Sequence, residues 1–224
     1  MTTFALSLTP KTARLAVDTM NTEGSIGSKY LTLPHIGGAL FVTGRAVILD
    51  HIMFNLSRLR KLERFDDLVN VAERLCNKAF VDTAYEMMDS EGIEDDLDPW
   101  EYLQDSAFGV LTAHVFFIGY HHGLGEMCAA SISYDKEDGE YQEHKHAIRP
   151  TSFQGAAPNA LTDLEQILGR DLGESDQDMK LAIGYQFLHG RLNEGMDDAR
   201  TGGGDITVAT LKPDRSISME ILAT

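Results

Sequence analysis

The chain has 224 residues, 43% of them hydrophobic, and a formal net charge of −16. This length suits one domain of ordinary size, and the composition is typical of a globular protein rather than a disordered one. The acidic balance argues against nucleic acid as a partner, because phosphate binding needs a basic patch. We find no apolar run of about 18 residues and no signal-peptide pattern at the start, so we expect a cytoplasmic protein without membrane contact.

Two cysteines set an expectation about redox chemistry. Cys76 falls in a strongly helical pattern and Cys128 in a strand-like one. Cytoplasmic proteins rarely hold structural disulfides, and free cysteines are often buried. We therefore predict two buried free thiols in preference to a disulfide.

The first half of the chain alternates strands with helices. Residues 3–8 and 13–17 predict two strands joined by a turn, and the apolar run 36–42 predicts a buried strand. Residues 45–59 predict a first helix, and apolar residues spaced along 62–88 predict one continuous face of a long helix. The acidic stretch that follows, about 89–106, is interpreted as a surface insert within a single domain spanning 1–224.

The second half of the chain also contains both strands and helices, in a different order. A hairpin turning near Gly123 is predicted from the strand patterns 109–120 and 126–134, and a further strand from 141–152. Helices are predicted within 155–171 and over 178–194, followed by a closing hairpin, 206–211 with 216–222. Strand pairs around a central pair and a late group of helices indicate two sheets covered by helices.

Local residues at the start of the chain carry a resemblance to a known family. Thr2 and Thr3 precede a strand, a turn and a strand that ends at Asp18, sixteen residues after Thr2. Lys29 follows before the buried strand, and residues 43–46 read Thr-Gly-Arg-Ala. This order resembles that of proteasome β-subunit-like N-terminal nucleophile (Ntn) hydrolases, which include the bacterial proteasome-like heat-shock peptidase and related bacterial proteasome homologues.

The far end of the chain supplies a second match. Residues 198–203 read Asp-Ala-Arg-Thr-Gly-Gly and resemble the family's Asp-x-x-Ser-Gly-Gly loop, with Thr201 in place of serine. The family's Gly-Ser-Gly pattern is absent, and Ser152 is the nearest candidate for its serine. The resemblance covers 2–60 and 178–224, while the middle of the chain matches only in element order.

The resemblance implies an α+β fold, a four-layer αββα sandwich of two mainly antiparallel sheets flanked by helices. It also implies that Thr2 is the nucleophile once Met1 is removed. An N-terminal threonine supplies its own base, because an α-amine has a pKa of about 7.7–8.0 and is partly neutral near pH 7. Lys29 would tune this site and Asp18 would hold Lys29.

Three further roles follow from the resemblance. The amide of Gly44 would stabilise the oxyanion, and Asp198 and Thr201 would hydrogen-bond around the α-amine. The implied activity is that of a threonine-type endopeptidase subunit in a homo-oligomeric ring or stack. Its substrates would be peptides or unfolded proteins, an ATP-dependent unfoldase could feed it, and no cofactor or metal is expected.

Other interpretations remain open at this stage. A catalytically silent subunit with a structural or assembly role is favoured by a shortened region before Lys29, the missing Gly-Ser-Gly pattern and the acidic insert. The mechanism also fails if Met1 is retained. An amidase acting on a small molecule would use the same nucleophile, since a fold does not fix a substrate. His121-His122 and His144-x-His146 are interpreted as exposed histidines rather than metal ligands.

Overall fold

The computed structural model describes residues 3–18, 30–44, 47–59, 61–93, 97–105, 113–137, 140–148, 152–156, 158–193 and 205–222. The strands in these ranges are β1 (Phe4–Leu8), β2 (Ala13–Asp18), β3 (Tyr30–Leu33), β4 (Gly38–Gly44), β5 (Ala113–His121), β6 (Glu126–Glu137), β7 (Glu140–Ile148), β8 (Ser152–Gly155), β9 (Ile206–Leu211) and β10 (Ile217–Leu222). The helices are α1 (Val47–Ser57), α2 (Phe65–Glu91), α3 (Pro99–Asp105), α4 (Pro158–Leu168) and α5 (Asp176–Asn193).

The strands form two sheets of five. The first sheet has the order β10-β9-β2-β1-β8 and the second has the order β3-β4-β5-β6-β7. Every neighbouring pair in both sheets is antiparallel. Antiparallel neighbours can be joined by short turns. The two-residue alternation of apolar and polar residues seen in the sequence is typical of such sheets.

Three apolar clusters stack these elements into layers. One cluster lies between the sheets, where β1 and β2 face β4, β5 and β6. A second joins α1, α2 and α3 to the outer face of the second sheet. A third joins α4 and α5 to the outer face of the first sheet. The result is the α+β, four-layer αββα sandwich that the sequence predicted.

The long helix α2 shows why the sequence pattern was easy to interpret. Its buried residues recur every three or four positions from Phe65 to Met88, so one stripe packs on the second sheet. The helix ends at Gly92, which has φ 69° and donates its backbone N–H to the carbonyls at the end of the helix. Only glycine adopts that left-handed conformation without strain, so the helix stops there.

Two details of the sequence prediction needed revision. The predicted strand 141–152 is two strands, β7 and β8, which belong to different sheets. The acidic stretch 89–106 is partly helical, because α2 continues to Glu91 and α3 follows. Among the described helices, none combines the length and the apolar character that crossing a bilayer requires.

Candidate active site

The end of β2 lies against the beginning of the chain. Asp18 is the last residue of β2, and its side chain is buried. Its Oδ1 accepts a hydrogen bond from the backbone N–H of Thr3 at 2.9 Å. The backbone N–H of Asp18 in turn donates to the Thr3 carbonyl at 3.2 Å. A buried carboxylate needs such donors, and this one is held within one residue of Thr2 along the chain.

Strand β9 brings a second segment to the same place. Ile206 pairs with Asp18, so β9 begins beside the buried carboxylate. The Thr207 hydroxyl donates to the Val17 carbonyl at 3.3 Å. Burial raises the pKa of the Tyr30 hydroxyl, and a hydrogen bond with the Thr207 side chain partly offsets this rise. The start of β3 therefore meets the start of β9.

Three aromatic rings fix one sheet over the other at this end. The Phe4 ring of β1 lies with its centroid 4.9 Å from that of Phe41 and 5.0 Å from that of Phe116. Phe41 and Phe116 are stacked at 5.5 Å on the neighbouring strands β4 and β5. Such aromatic pairs add stabilisation beyond their buried area. The last residue of β4, Gly44, follows Phe41 by three positions, so the end of β4 also lies near the start of β1.

The predicted site residues divide into two groups. Asp18 and Gly44 lie in strands, at the ends of β2 and β4. The other predicted site residues, Thr2, Lys29, Asp198 and Thr201, lie outside the described residues. The structure does bring together residues that follow them along the chain, which are Thr3, Tyr30 at the start of β3 and Ile206 at the start of β9.

Ser152 was wrong as a candidate for the family's serine. It pairs with Leu8, at the far end of β1, whereas Gly155 pairs with Ala5 near the start. Leu8 lies five positions beyond Thr3, which is about 16 Å along the strand at 3.3 Å per residue. A serine at that distance cannot contact the start of the chain. The sequence alone could not reveal the position of Ser152 relative to the chain start, because the register of β8 is set by its pairing with β1.

Sequence reasoning missed one buried polar residue at this end of the molecule, Gln186 on α5. Its Nε2 donates to the Phe4 carbonyl at 2.9 Å and to the Ala182 carbonyl at 3.0 Å. Phe4 lies one residue beyond Ala5, the last residue of β1 that pairs with β8, so the glutamine takes the place of a strand partner. A polar residue within an otherwise apolar helix stripe was the available signal.

A glycine makes room for that glutamine. A Cβ at Gly155 would lie 2.5 Å from Gln186 Oε1 and 2.7 Å from Leu161 Cδ1. Both distances are shorter than van der Waals contact, so any side chain at this position would displace the amide. The combination of Gly155 and Gln186 therefore holds the first residues of β1 in position from the α5 side.

Two sheets facing each other between two helical layers define the class of fold, an Ntn-like αββα sandwich. Among solved structures, the chain is similar to Anbu (ancestral beta-subunit) from Yersinia bercovieri, with a TM-score of 0.56 and 12% sequence identity. The match covers 100% of this chain and 87% of that one. No protein-family model and no curated protein matches the sequence. The likeness therefore establishes the fold alone.

Proposed function

We propose that this chain is a proteasome-like threonine hydrolase subunit that cleaves peptide bonds with Thr2 after removal of Met1. The observation that carries the proposal is the hydrogen bond between the Thr3 N–H and the buried Asp18 carboxylate. It fixes the beginning of the chain at the end of the sandwich where β3 and β9 also begin. Residues 29 and 205 directly precede those two strands, so the geometry supports a site assembled from Thr2, Lys29 and the 198–203 loop.

The chemistry assigned to these residues is acyl transfer. The Thr2 hydroxyl attacks the peptide carbonyl while its proton passes to the neutral α-amine of the same residue. The amide N–H of Gly44 stabilises the oxyanion of the tetrahedral intermediate. The protonated amine then gives its proton to the leaving nitrogen, and water hydrolyses the acyl-enzyme. Lys29, held by Asp18, disfavours the charged form of the amine and so increases the fraction of base.

Two further groups complete the proposed site. Asp198 and Thr201 would hydrogen-bond to the α-amine and orient it toward the hydroxyl. A ring-like assembly of copies would enclose the sites, with peptides or unfolded chains as substrates and an ATP-dependent unfoldase as a partner. The cytoplasm is the compartment that fits such an assembly. All of these assignments require Thr2 to be the nucleophile, so the first experiment tests Thr2.

The experiment compares two forms of the same chain that differ only in Met1. Each is released in vitro from a cleavable N-terminal fusion, cut either before Thr2 or before Met1. Both are treated with a β-lactone or an epoxyketone, and intact mass and peptide mapping locate the adduct. We expect stoichiometric modification at Thr2 in the form that starts with Thr2 and none in the form that keeps Met1.

Variants of the form that starts with Thr2 sharpen the result. Thr2→Ala should abolish the adduct, Thr2→Ser should retain it, and Thr3→Ala, which keeps the backbone N–H that Asp18 binds, should still react. Absence of an adduct in the form that starts with Thr2, or full retention of Met1 in protein from its natural source, would refute the hydrolase. The chain would then be a catalytically silent subunit with an assembly role.

A further inference from the structure

The face of the second sheet that looks toward the first sheet becomes polar at one end. Deeper in this layer, β4, β5 and β6 contribute apolar side chains to the cluster between the sheets. Thr43, His114 and Ser133 lie on the same face, because each is an even number of positions from a cluster residue of its own strand. Thr43 pairs with His114, and His114 pairs with Ser133, so the three residues form one polar row across the sheet.

The polar row is the last row of this face on β4 and β5. Gly44 ends β4 and pairs with Ala113, where β5 begins. Thr43 and His114 are half-buried, whereas Phe41, two positions deeper along β4, is fully buried. The polar row therefore lies at the rim of the space between the sheets, where a ligand can reach it.

Two described parts of the candidate active site lie beside the polar row. His114 directly follows Ala113, the pairing partner of Gly44, whose amide is the proposed oxyanion donor. The centroid of the His114 ring lies 6.5 Å from that of Phe116, and the Phe116 ring lies 5.0 Å from that of Phe4, near the chain start. A substrate whose reacting carbonyl lies at the Gly44 amide would therefore have a side chain within reach of this row.

The chemistry of the polar row suits a neutral side chain that forms hydrogen bonds. Hydroxyl groups both donate and accept, and a neutral imidazole has one donor and one acceptor nitrogen. A carboxamide matches them, because it also has both functions. A carboxylate only accepts, and it would be repelled by a chain of net charge −16 that has Asp135 two residues beyond Ser133. The row therefore favours a carboxamide over a carboxylate.

We propose that Thr43, His114 and Ser133 form a specificity site that binds a carboxamide side chain of the peptide substrate, that of glutamine or asparagine. This inference rests on the proposed function. The carboxamide belongs to the substrate residue whose carbonyl is attacked. Its oxygen accepts a hydrogen bond from the imidazole, and its NH₂ group donates to a hydroxyl of the row. An apolar side chain of similar length makes neither hydrogen bond, so the site discriminates against it.

The first test measures how the substrate side chain affects the rate of modification. Three peptide epoxyketones that differ only in the side chain next to the epoxyketone (glutamine, glutamate or leucine) are reacted with the form that starts with Thr2. We expect the glutamine probe to react at least about tenfold faster than either of the others. His114→Phe keeps an aromatic ring beside Phe116 and should abolish the preference for glutamine over leucine. Equal rates for the three probes in the unmodified chain would overturn the proposal.

Two serines on the same face of β6 provide a matched control. Ser131 and Ser133 are both buried, but Ser131 pairs with Phe116, one row deeper. Ser133→Ala should lower the ratio of the glutamine rate to the leucine rate by about threefold or more, and Ser131→Ala should leave it within about twofold. Equal effects of the two substitutions would overturn the role of the row. Because alanine is smaller than serine, this pair also tests the proposal if His114→Phe does not fold.

The second test does not require hydrolysis. The Thr2→Ala variant, released without Met1, cannot form an adduct, and short unreactive peptides that end in glutamine amide or leucine amide are added to it. The imidazole signals of His114 are followed by NMR and identified with His114→Phe. We expect the glutamine peptide to shift them and the leucine peptide not to.

The combined outcomes separate this inference from the proposed function. If no probe forms an adduct while the glutamine peptide shifts the His114 signals, the hydrolase fails and the carboxamide site stands. If the probes form adducts at Thr2 but neither peptide shifts these signals, the hydrolase stands and the carboxamide site is refuted.

Discussion

The carboxylate of Asp18 accepts a hydrogen bond from the backbone N–H of Thr3, with Oδ1 2.9 Å from the nitrogen. This contact joins the end of one strand to the beginning of its neighbour. Asp18→Ala removes the acceptor and leaves a buried N–H unpaired, so we expect a loss of about 1–3 kcal/mol in the free energy of unfolding. Urea unfolding at pH 7 measures this loss.

Asp18→Asn is the matched control for that prediction. The asparagine Oδ1 can still accept from Thr3, so its cost in stability should be less than half that of the alanine variant. If Asn and Ala are equally destabilising, the charge rather than the hydrogen bond stabilises this corner. Under the proposed function, the Asn variant should nevertheless lose adduct formation at Thr2, because a neutral side chain cannot hold Lys29 in its charged form.

Close packing of Gly119 on Phe65 gives a second prediction. A Cβ at Gly119 would lie 2.5 Å from Phe65 Cδ2 and 2.7 Å from Cγ, and the Phe65 ring is fully buried. Gly119→Ala should therefore destabilise the protein by about 1–3 kcal/mol through overpacking. Gly119→Ala combined with Phe65→Leu should cost less than the sum of the two single substitutions, because the smaller side chain relieves the clash.

Gly184 is the control for the effect of the substitution itself. It lies in α5, and a Cβ there would meet nothing within 4 Å. Gly184→Ala should raise the free energy of unfolding by about 0.5–1 kcal/mol, since alanine favours the helix. Comparable losses in both alanine variants would show that the Phe65 contact is not the cause.

The elements that the sequence predicted well are those whose pattern is local. The stripe of α2 repeats over seven turns, and the hairpin of β5 and β6 turns at 122–125, close to the predicted Gly123. Strand β3 was missed because its four residues gain their stability from pairing with β4 rather than from their own pattern. The sequence pattern of such short edge strands is too weak to predict them.

Only those parts of the candidate site that have a characteristic residue type at a characteristic spacing could be predicted from the sequence. Asp18 was predicted from the family resemblance, at the family's spacing from Thr2. The structure shows that its side chain is buried, and its catalytic role stays a prediction. Gln186 was missed because its contact with Phe4 spans 182 residues and depends on where β8 ends. The pair His121-His122 was interpreted as exposed. His122 is exposed and His121 is half-buried, and both imidazoles contact Asp66, 55 and 56 residues earlier in the chain, which the sequence did not indicate. Contacts at such separations follow from topology rather than from local sequence.

Cys76 and Cys128 are two buried thiols rather than a disulfide, as the sequence predicted. Burial, with smaller contributions from the Asp66 and Glu126 carboxylates, raises the pKa of the Cys128 thiol to about 11. At pH 8 the thiolate fraction is then about one part in a thousand, and the thiolate is the reactive form. Cys128 should therefore react with iodoacetamide at least about a hundredfold more slowly in the native protein than in urea. Rapid native labelling of Cys128, read by peptide mass mapping, would contradict this assignment.

Asp66 joins the beginning of α2 to the β5–β6 turn and gives the last prediction. Its Oδ2 accepts from the backbone N–H of His122 at 2.9 Å, and its Oδ1 accepts from that of Gly123 at 3.1 Å. His121 Nδ1 lies 3.1 Å from Oδ1, and His122 Nδ1 lies 3.3 Å from Oδ2. Burial, the largest single influence, raises the pKa of Asp66, but the hydrogen bonds from His122 and Gly123 together outweigh it and lower the pKa to about 2 from its ordinary 3.8.

A lowered pKa means that the folded protein binds fewer protons than the unfolded chain between pH 4 and pH 2. The stabilisation is therefore complete above about pH 4 and is lost as the pH falls through about 2. Because 22% of the side chain is exposed, solvent screening reduces the pH-linked part to about 1–2 kcal/mol. Urea unfolding of wild type and Asp66→Asn should show a stability difference that shrinks by this amount from pH 5 to pH 2. Asp163→Asn, at an exposed position of α4, controls for the loss of one charge, and an equal pH dependence in both variants would contradict the role of Asp66.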